Sequence, residues 1–290
     1  MKKRVLITGA TSQIGRFLLP QFSDNQFDVY AISRNNSNID CDGISWIKFD
    51  LQKDNLSLLS KYNINILIHL AEITIAPDLI ASLKSLERVV AFSSTSLVVK
   101  KDSKNLNDRK LSIQLQKGEN NLIHNCLNKN VQWTIFRPTL IYGLGLDQNI
   151  EFITQLINKY HFFPIVGKGK GLRQPVHAYD LALASRNVIN SRATYSKIYN
   201  LSGGEVLTYF EMVSRVFISL DMTPVIVRVP KVLIYTAVSL LKFCKKFNHL
   251  NTGMVDRFNE DLFFDSSDAK NDFDYTPHKF IPNMDIKNVL

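Results

Sequence analysis

Short apolar runs punctuate the first half of the chain, and polar or amphipathic stretches separate them. Val5–Ile7, Val29–Ile32, Ile44–Phe49, Ile66–Leu70, Val89–Phe92 and Trp133–Phe136 are apolar over most of their length, with little polar alternation. Runs of that kind read as strands covered on both faces, as in a parallel sheet. Between several of them, Pro77–Leu86 and Gln114–Cys126 carry helical patterns. The alternation of strand and helix predicts a doubly wound α/β fold. After about residue 145 the pattern loosens: Ile150–Tyr160 and Asp180–Ile189 read as helices and Lys197–Leu201 as a strand. Residues 1–145 are therefore expected to form the main domain, with its sheet completed by about 175–202. Residues 146–174 and 203–290 are expected to form a smaller mixed lobe over the C-terminal edge of the sheet, where open α/β sheets bind ligands.

The first strand runs into Thr8-Gly9-Ala10-Thr11-Ser12-Gln13-Ile14-Gly15, and an amphipathic helix follows with Phe17, Leu18, Leu19 and Phe22. Such a turn brings backbone N–H groups to a helix N-terminus, where the dipole favours an anion. Gly9 and Gly15 stand where a tight turn and a close helix–strand contact leave no room for a side chain. Ser12 replaces the middle glycine of the pattern. The strand–turn–helix order predicts a Rossmann-type dinucleotide site formed by Gly9, Thr11, Ser12, Gln13, Ile14 and Gly15. The second strand ends at Ser33-Arg34, with no carboxylate where NAD-preferring folds often place one for the ribose hydroxyls. A guanidinium pairs well with a 2′-phosphate. The pair therefore favours NADP(H) over NAD(H); the alternative is a solvated surface arginine.

Composition narrows the class. With 290 residues, the chain is long enough for a Rossmann-type domain and a smaller lobe. Cys41, Cys126 and Cys244 have no metal-like spacing and an odd count, which fits reduced thiols and a cytoplasmic protein. The formal charge of +9 suits an anionic partner such as a nucleotide, a phosphosugar or a membrane surface. The basic residues are scattered and no nucleic-acid-binding motif is present, so no nucleic-acid partner is expected. No segment reaches the ~18 apolar residues of a membrane span. Val232–Phe247 is an apolar helical stretch with a lysine-rich end, suited either to packing on the lobe or to peripheral contact with a membrane or partner. The protein is expected to be a monomer or homodimer.

Six landmarks in order carry a resemblance to the extended short-chain dehydrogenase/reductase superfamily, in its NAD-dependent epimerase/dehydratase (nucleotide-sugar) branch. They are the glycine turn, Asp50-Leu51, Ile68-His69-Leu70-Ala71, Ser93-Ser94-Thr95, Arg137-Pro138-Thr139-Leu140-Ile141-Tyr142-Gly143, and Arg173-Gln174-Pro175-Val176-His177-Ala178-Tyr179-Asp180-Leu181-Ala182. The resemblance implies that Asp50 accepts a hydrogen bond from the adenine amino group, with Leu51 beside the ring. It places Leu70 and Ala71 along the nicotinamide-side ribose, and Thr95 where the family polarises its substrate. Asn149, Arg173 and Arg257 fall where the branch contacts a nucleotide diphosphate sugar. His69, His177 and Asp180 read as structural.

The chain departs from the family at the Tyr-x-x-x-Lys pair, where the lysine lowers the tyrosine's pKa for proton exchange. Gly118-Glu119 sets the register, which puts Leu111 and Leu115 at those two positions. No tyrosine occurs between Asn63 and Ile141. Lys100, Lys101 and Tyr142 are the replacement acids or bases to consider. Two readings stay open: an enzyme acting on a nucleotide sugar with a non-standard acid/base, or an inactive NADPH-holding scaffold or sensor similar to the atypical accessory subunit of respiratory complex I.

Overall fold

The computed structural model describes residues 2–24, 26–35, 39, 41–241 and 259–284, with side chains to residue 236 in the first of those last two stretches. The apolar runs become β1 (Lys3–Thr8), β2 (Phe27–Ser33), β3 (Ile44–Lys48), β4 (Ile66–His69), β5 (Arg88–Phe92) and β6 (Gln132–Pro138). Four short strands follow: β7 (Ile141–Tyr142), β8 (Phe163–Val166), β9 (Leu172–Arg173) and β10 (Val176–His177). Then come β11 (Lys197–Leu201), β12 (Leu207–Thr208) and β13 (Ile226–Val229). The helices are α1 (Gln13–Leu18), α2 (Ala76–Ser82), α3 (Ser96–Val99), α4 (Leu106–Asn128), α5 (Ile150–Tyr160), α6 (Ala178–Asn187), α7 (Tyr209–Ser219), α8 (Lys231–Leu241) and α9 (Ser267–Phe273).

Seven strands form one parallel sheet in the order β11-β6-β5-β4-β1-β2-β3. The doubly wound fold expected from the sequence is the fold observed. Successive side chains of a strand point to opposite faces, and both faces here are buried. Val5 and Ile7 pack with Leu18, Leu181 and Val188 on the α1/α6 side. Leu6 and Leu67 pack with Leu79, Ile80 and Leu122 on the α2/α4 side. That two-sided cover is why the strands read as continuous apolar runs. The order in which strands are added reverses between β1 and β4, and the crevice beyond their C-terminal ends is the ligand position of such sheets.

Two helix boundaries differ from the sequence reading. The helix expected over Pro77–Leu86 stops at Ser82, because Leu83 is extended and the N–H groups of Glu87 and Arg88 both bond the Asn65 carbonyl, at 2.8 and 3.1 Å. The helix expected from Gln114 begins at Leu106. Asn105 caps it by accepting the Asn107 N–H at 2.9 Å, and its first turns are too polar to show a periodicity. Of the stretch Val232–Phe247, residues beyond 241 lie outside the described residues, as does Cys244.

Arg88, at the start of β5, is a buried cation that no pattern announced. It donates to Thr134 Oγ1 at 2.7 Å, to the Val188 carbonyl and Thr194 Oγ1 at 3.0 Å, and lies 4.8 Å from the Tyr195 ring. Burial lowers its pKa to about 10. It joins β5 and β6 to the end of α6, away from the ligand crevice.

The smaller lobe gathers Ile153, Ile157, Met212, Val213, Val216, Phe217 and Phe280. Its helix α7 opens on a capping box, in which Glu211 N–H bonds Thr208 Oγ1 at 3.1 Å and Thr208 N–H bonds Glu211 Oε2 at 2.7 Å. The segment 259–284 then runs across both parts of the molecule. Phe273 packs on Phe136 and Tyr199, Tyr275 donates to the Ser202 carbonyl at 3.0 Å, and Phe280 N–H bonds Glu205 at 2.8 Å.

Candidate dinucleotide site and adjoining cleft

The glycine turn is tight for a steric reason. Gly9 has φ +66°, and a Cβ there would lie 2.8 Å from the Leu70 carbonyl carbon. A Cβ at Gly15 would lie 2.3 Å from the Ala10 carbonyl oxygen. Ser12 takes the middle position without strain, because the backbone there is extended (φ −66°, ψ 166°). Its N–H closes the turn on the Gly9 carbonyl at 2.9 Å, and its hydroxyl caps α1 by accepting the Gly15 N–H at 3.2 Å. The N–H groups of Gln13 and Ile14, the first two of the helix, have no helical acceptor. Gln13 Oε1 is buried and unpartnered among the described residues. Thr11 is exposed, and its carbonyl accepts from Arg16 Nε at 3.3 Å. Two anion-seeking N–H groups behind a glycine that cannot carry a side chain fit a pyrophosphate.

Leu70 and Ala71 stand against this turn, tied by Leu70 N–H to the Thr8 carbonyl at 3.1 Å. Behind them His69 is fully buried. It bonds Thr8 Oγ1 through Nδ1 at 2.8 Å and the Glu72 carbonyl through Nε2 at 2.9 Å. Desolvation lowers its pKa to about 4. The imidazole is therefore neutral, Nε2 donating and Nδ1 accepting, and acts as a strut between β1 and β4.

On the other side of the turn, Asp50 and Leu51 follow β3, half-buried. One Asp50 carboxylate oxygen accepts the Gln52 N–H at 3.0 Å. Ser33 is buried, and its hydroxyl accepts the Asn35 N–H at 3.3 Å. Arg34 is exposed and forms no ion pair among the described residues. The sheet register adds a cation that the sequence reading did not single out: Lys48 pairs with Ser33 across β3 and β2. Register neighbours share a face, so Lys48 lies beside the end of β2. Only the strand pairing reveals it.

At the end of β5, Thr95 is buried and donates to the Pro138 carbonyl at 3.0 Å. Ser93 Oγ, two residues earlier, is buried without a partner among the described residues. The α4 register is held at two points. Gly118 faces Ile73, whose Cγ2 would lie 2.8 Å from an added Cβ. Glu119 is buried and paired with Arg137 through bonds of 2.9 and 2.5 Å. Leu111 then lies exposed on the helix, and Leu115 packs partly against the α2/α4 core.

Of the replacement groups considered from the sequence, Lys101 is exposed just beyond α3, and the other two are engaged. Lys100 pairs with the buried Asp108 at 3.3 Å. Tyr142 is 1% exposed, its oxygen accepts the Ile281 N–H at 3.2 Å, and burial raises its pKa. A phenol so placed does not exchange protons with a cleft ligand, and the structure removes it from consideration.

In the smaller lobe, Asn149 is exposed at the start of α5 but does not cap it with its side chain; Asp147 Oδ1 accepts the N–H groups of Asn149 and Ile150 at 2.9 and 2.6 Å. Arg173 is 6% exposed, with Nη1 on the carbonyls of Leu172 (2.7 Å) and Glu260 (2.8 Å) and its guanidinium 5.4 Å from the Tyr209 ring. Asp261 bonds the Leu172 N–H at 3.0 Å. Arg257 lies outside the described residues. His177 caps α6 through Nδ1, which accepts the Tyr179 N–H at 3.1 Å; desolvation lowers its pKa to about 4. Asp180 holds His278, through its ring at 2.5 Å and its N–H at 3.0 Å, and burial raises the carboxyl's pKa. Among the described residues no cluster of His, Cys, Asp or Glu could hold a metal ion.

The sheet order, the glycine turn and the crevice beside it define a Rossmann-like α/β fold with an added lobe. Residues 5–105 match the NAD dependent epimerase/dehydratase family, a span that contains the first four of the six sequence landmarks. Among characterised relatives, the chloroplast stem-loop binding protein of 41 kDa b of Arabidopsis thaliana is 24% identical over 238 residues, covering 72% of this chain and 61% of that protein. Subunit 9 of the NADH dehydrogenase (ubiquinone) 1 alpha subcomplex of Dictyostelium discoideum is 29% identical over 83 residues, 29% of this chain and 23% of that one. The chain thus spans less than two thirds of the length of these relatives. Among solved structures, MoeE5 in complex with UDP-glucuronic acid and NAD superposes with a TM-score of 0.73 at 19% identity, covering 96% of this chain and 94% of that one. UDP-glucuronic acid 4-epimerase from Bacillus cereus, in complex with UDP-glucuronic acid and NAD, gives 0.69 at 17% identity, with 94% of each chain covered. At these identities the likeness is one of fold.

Proposed function

We propose that this chain binds a nicotinamide dinucleotide across the C-terminal ends of β1–β5 and receives a nucleotide sugar in the adjoining cleft. The observation that carries the reading is the turn: Gly9 pressed against Leu70, with the N–H groups of Gln13 and Ile14 unspent. Those two N–H groups would hold the pyrophosphate. Asp50 would accept from the adenine amine, and Leu70 and Ala71 would line the nicotinamide-side ribose. When bound, the dinucleotide would supply hydride transfer. Thr95 would hydrogen-bond a substrate oxygen with its lone pairs while donating to Pro138. Asn149, Arg173 and Arg257 would face the diphosphate sugar. The neighbours crystallised with NAD and UDP-sugars support the ligand class.

NADPH is the preferred form in this reading, because Arg34 and Lys48 put two cations and no carboxylate at the end of β2. A charge-assisted contact contributes about 1.5–3 kcal/mol. Calorimetry on the wild type, Arg34→Ala and Lys48→Met tests it: the wild type should favour NADPH, and each variant should lose part of that preference. Equal affinity of the wild type for NADH and NADPH refutes it.

The scaffold reading has its own support in the engaged Lys100, the buried Tyr142 and the two leucines on α4. UDP-glucose and UDP-glucuronic acid added to the NADPH-loaded protein separate the two readings. A rise in melting temperature that Arg257→Met abolishes supports a substrate cleft. NADPH stabilisation with no response to any nucleotide sugar supports the scaffold.

A further inference from the structure

The β8/β13 end of the lobe exposes apolar side chains among the described residues. Val232 and Leu233, at the start of α8, are 73% and 60% exposed. They follow β13 directly, with Leu233 N–H bonded to the Pro230 carbonyl at 3.0 Å. Val225 and Val227 on the β13 strip, and Tyr160 and Phe162 beside it, are also more than two-fifths exposed. Their adjacency comes from the pairing: Phe163 N–H bonds the Val225 carbonyl at 3.0 Å, and Val227 lies opposite Pro164. The six form one strip along the β8/β13 edge and the start of α8.

Charge decides what the strip suits. Arg228 and Lys231 are exposed at the edge of the strip, Lys231 5.5 Å over the Tyr235 ring, and Lys159 stands 4.9 Å over the Tyr160 ring. From residue 222 to 255 the sequence contains five lysines and arginines and no aspartate or glutamate. A protein groove would pair such cations with acids of its partner one by one. A cationic rim around exposed aliphatic and aromatic side chains matches the headgroup boundary of an anionic bilayer, where apolar groups insert shallowly and cations meet lipid phosphates. Tyrosine is favoured at that level. No described helix is long and apolar enough to cross a membrane, so the geometry is that of a surface contact.

We propose that this strip, centred on Val232 and Leu233 with Arg228 and Lys231, docks the protein on anionic lipid membranes. The inference rests on the lobe surface alone and stands whether or not the cleft turns over substrate.

Co-sedimentation of the full chain with vesicles tests it. Vesicles of an equal mixture of phosphatidylcholine and phosphatidylglycerol should carry the wild type down; vesicles of phosphatidylcholine alone should bind at least tenfold less. Raising the salt should weaken binding to the mixed vesicles. Val232→Glu with Leu233→Glu should cut binding at least tenfold, and Arg228→Ser with Lys231→Ser should cut it severalfold. Both pairs of changes lie on exposed positions, and unchanged melting curves and far-ultraviolet spectra would show intact folds. Wild-type protein that stays in the supernatant with the mixed vesicles overturns the proposal, as does binding that the two glutamates leave unchanged. Concentration-dependent dimerisation abolished by the glutamates, without vesicle binding, would assign the strip to a second copy and also overturn it.

Discussion

At the residue scale, the glycine turn and two imidazoles make the sharpest claims. Gly9→Ala would place a methyl group 2.8 Å from backbone and force a positive φ on an alanine. Strain of that kind costs about 1–3 kcal/mol, and the turn would have to move away from Leu70. Urea denaturation should show the loss, and calorimetry should show weaker dinucleotide binding. His69 and His177 give a pH dependence of known sign. Both have pKa values lowered to about 4 in the fold, against 6.5 when free. The unfolded chain therefore binds more protons between those values, and stability falls as the pH drops from about 6.5 toward 4 and is level above. Each buried imidazole contributes at most about 3 kcal/mol to that fall. Asp180, whose pKa burial raises, adds a slope of opposite sign at the acid end. Denaturation midpoints against pH should show the decline, and His69→Gln should flatten it. Both histidines read as structural from the sequence, His69 because it ends a buried strand. The sequence did not show what His69 bonds, because Thr8 becomes its partner only once β1 and β4 are side by side.

At the element scale, α4 shows what patterning reveals and what it hides. Gly118-Glu119 was legible as a register mark, and the structure supplies the cause: a glycine where Ile73 leaves no space, and a carboxylate under Arg137 of β6. Removing one member of a buried ion pair leaves the other uncompensated. Glu119→Ala should destabilise the protein by about 3–5 kcal/mol, and Glu119→Gln by less; thermal and urea melts measure both. The first two turns of the same helix were invisible in the sequence, since only the Asn105 cap announces them. Strand positions were read well because burial on both faces leaves unbroken apolar runs. Register is different. Lys48 has no signal in its own neighbourhood, and its place beside Ser33 follows from pairing between strands.

At the scale of the whole molecule, the doubly wound sheet was legible from end to end, including its last strand at Lys197–Leu201. The cleft was less so, because its walls come from segments far apart in the chain and depend on side-chain commitments such as Tyr142 to Ile281. A ligand that binds only the folded state stabilises it by about 2.7 kcal/mol at a hundredfold excess over its Kd. For a chain of this size that amounts to roughly 5–10 °C. Thermal scans with NADPH should show such a shift, smaller in Arg34→Ala at equal concentration.

The strap formed by residues 259–284 has a consequence in time. Phe273 covers Phe136 and Tyr199, Tyr275 reaches Ser202, and Phe280 completes the lobe core. A ribosome delivers these residues after every element they cover. While the chain is being made, the first five sheet strands can assemble, but the aromatic face near β6 and β11 stays bare and the lobe lacks its last wedge. Exposed apolar surface in a half-made chain invites association with its neighbours. Closure of that face and of the lobe core therefore waits until residues 273–280 have been made. A message cut short before residue 273 would yield a product fit for degradation, even though it carried every residue of the dinucleotide turn.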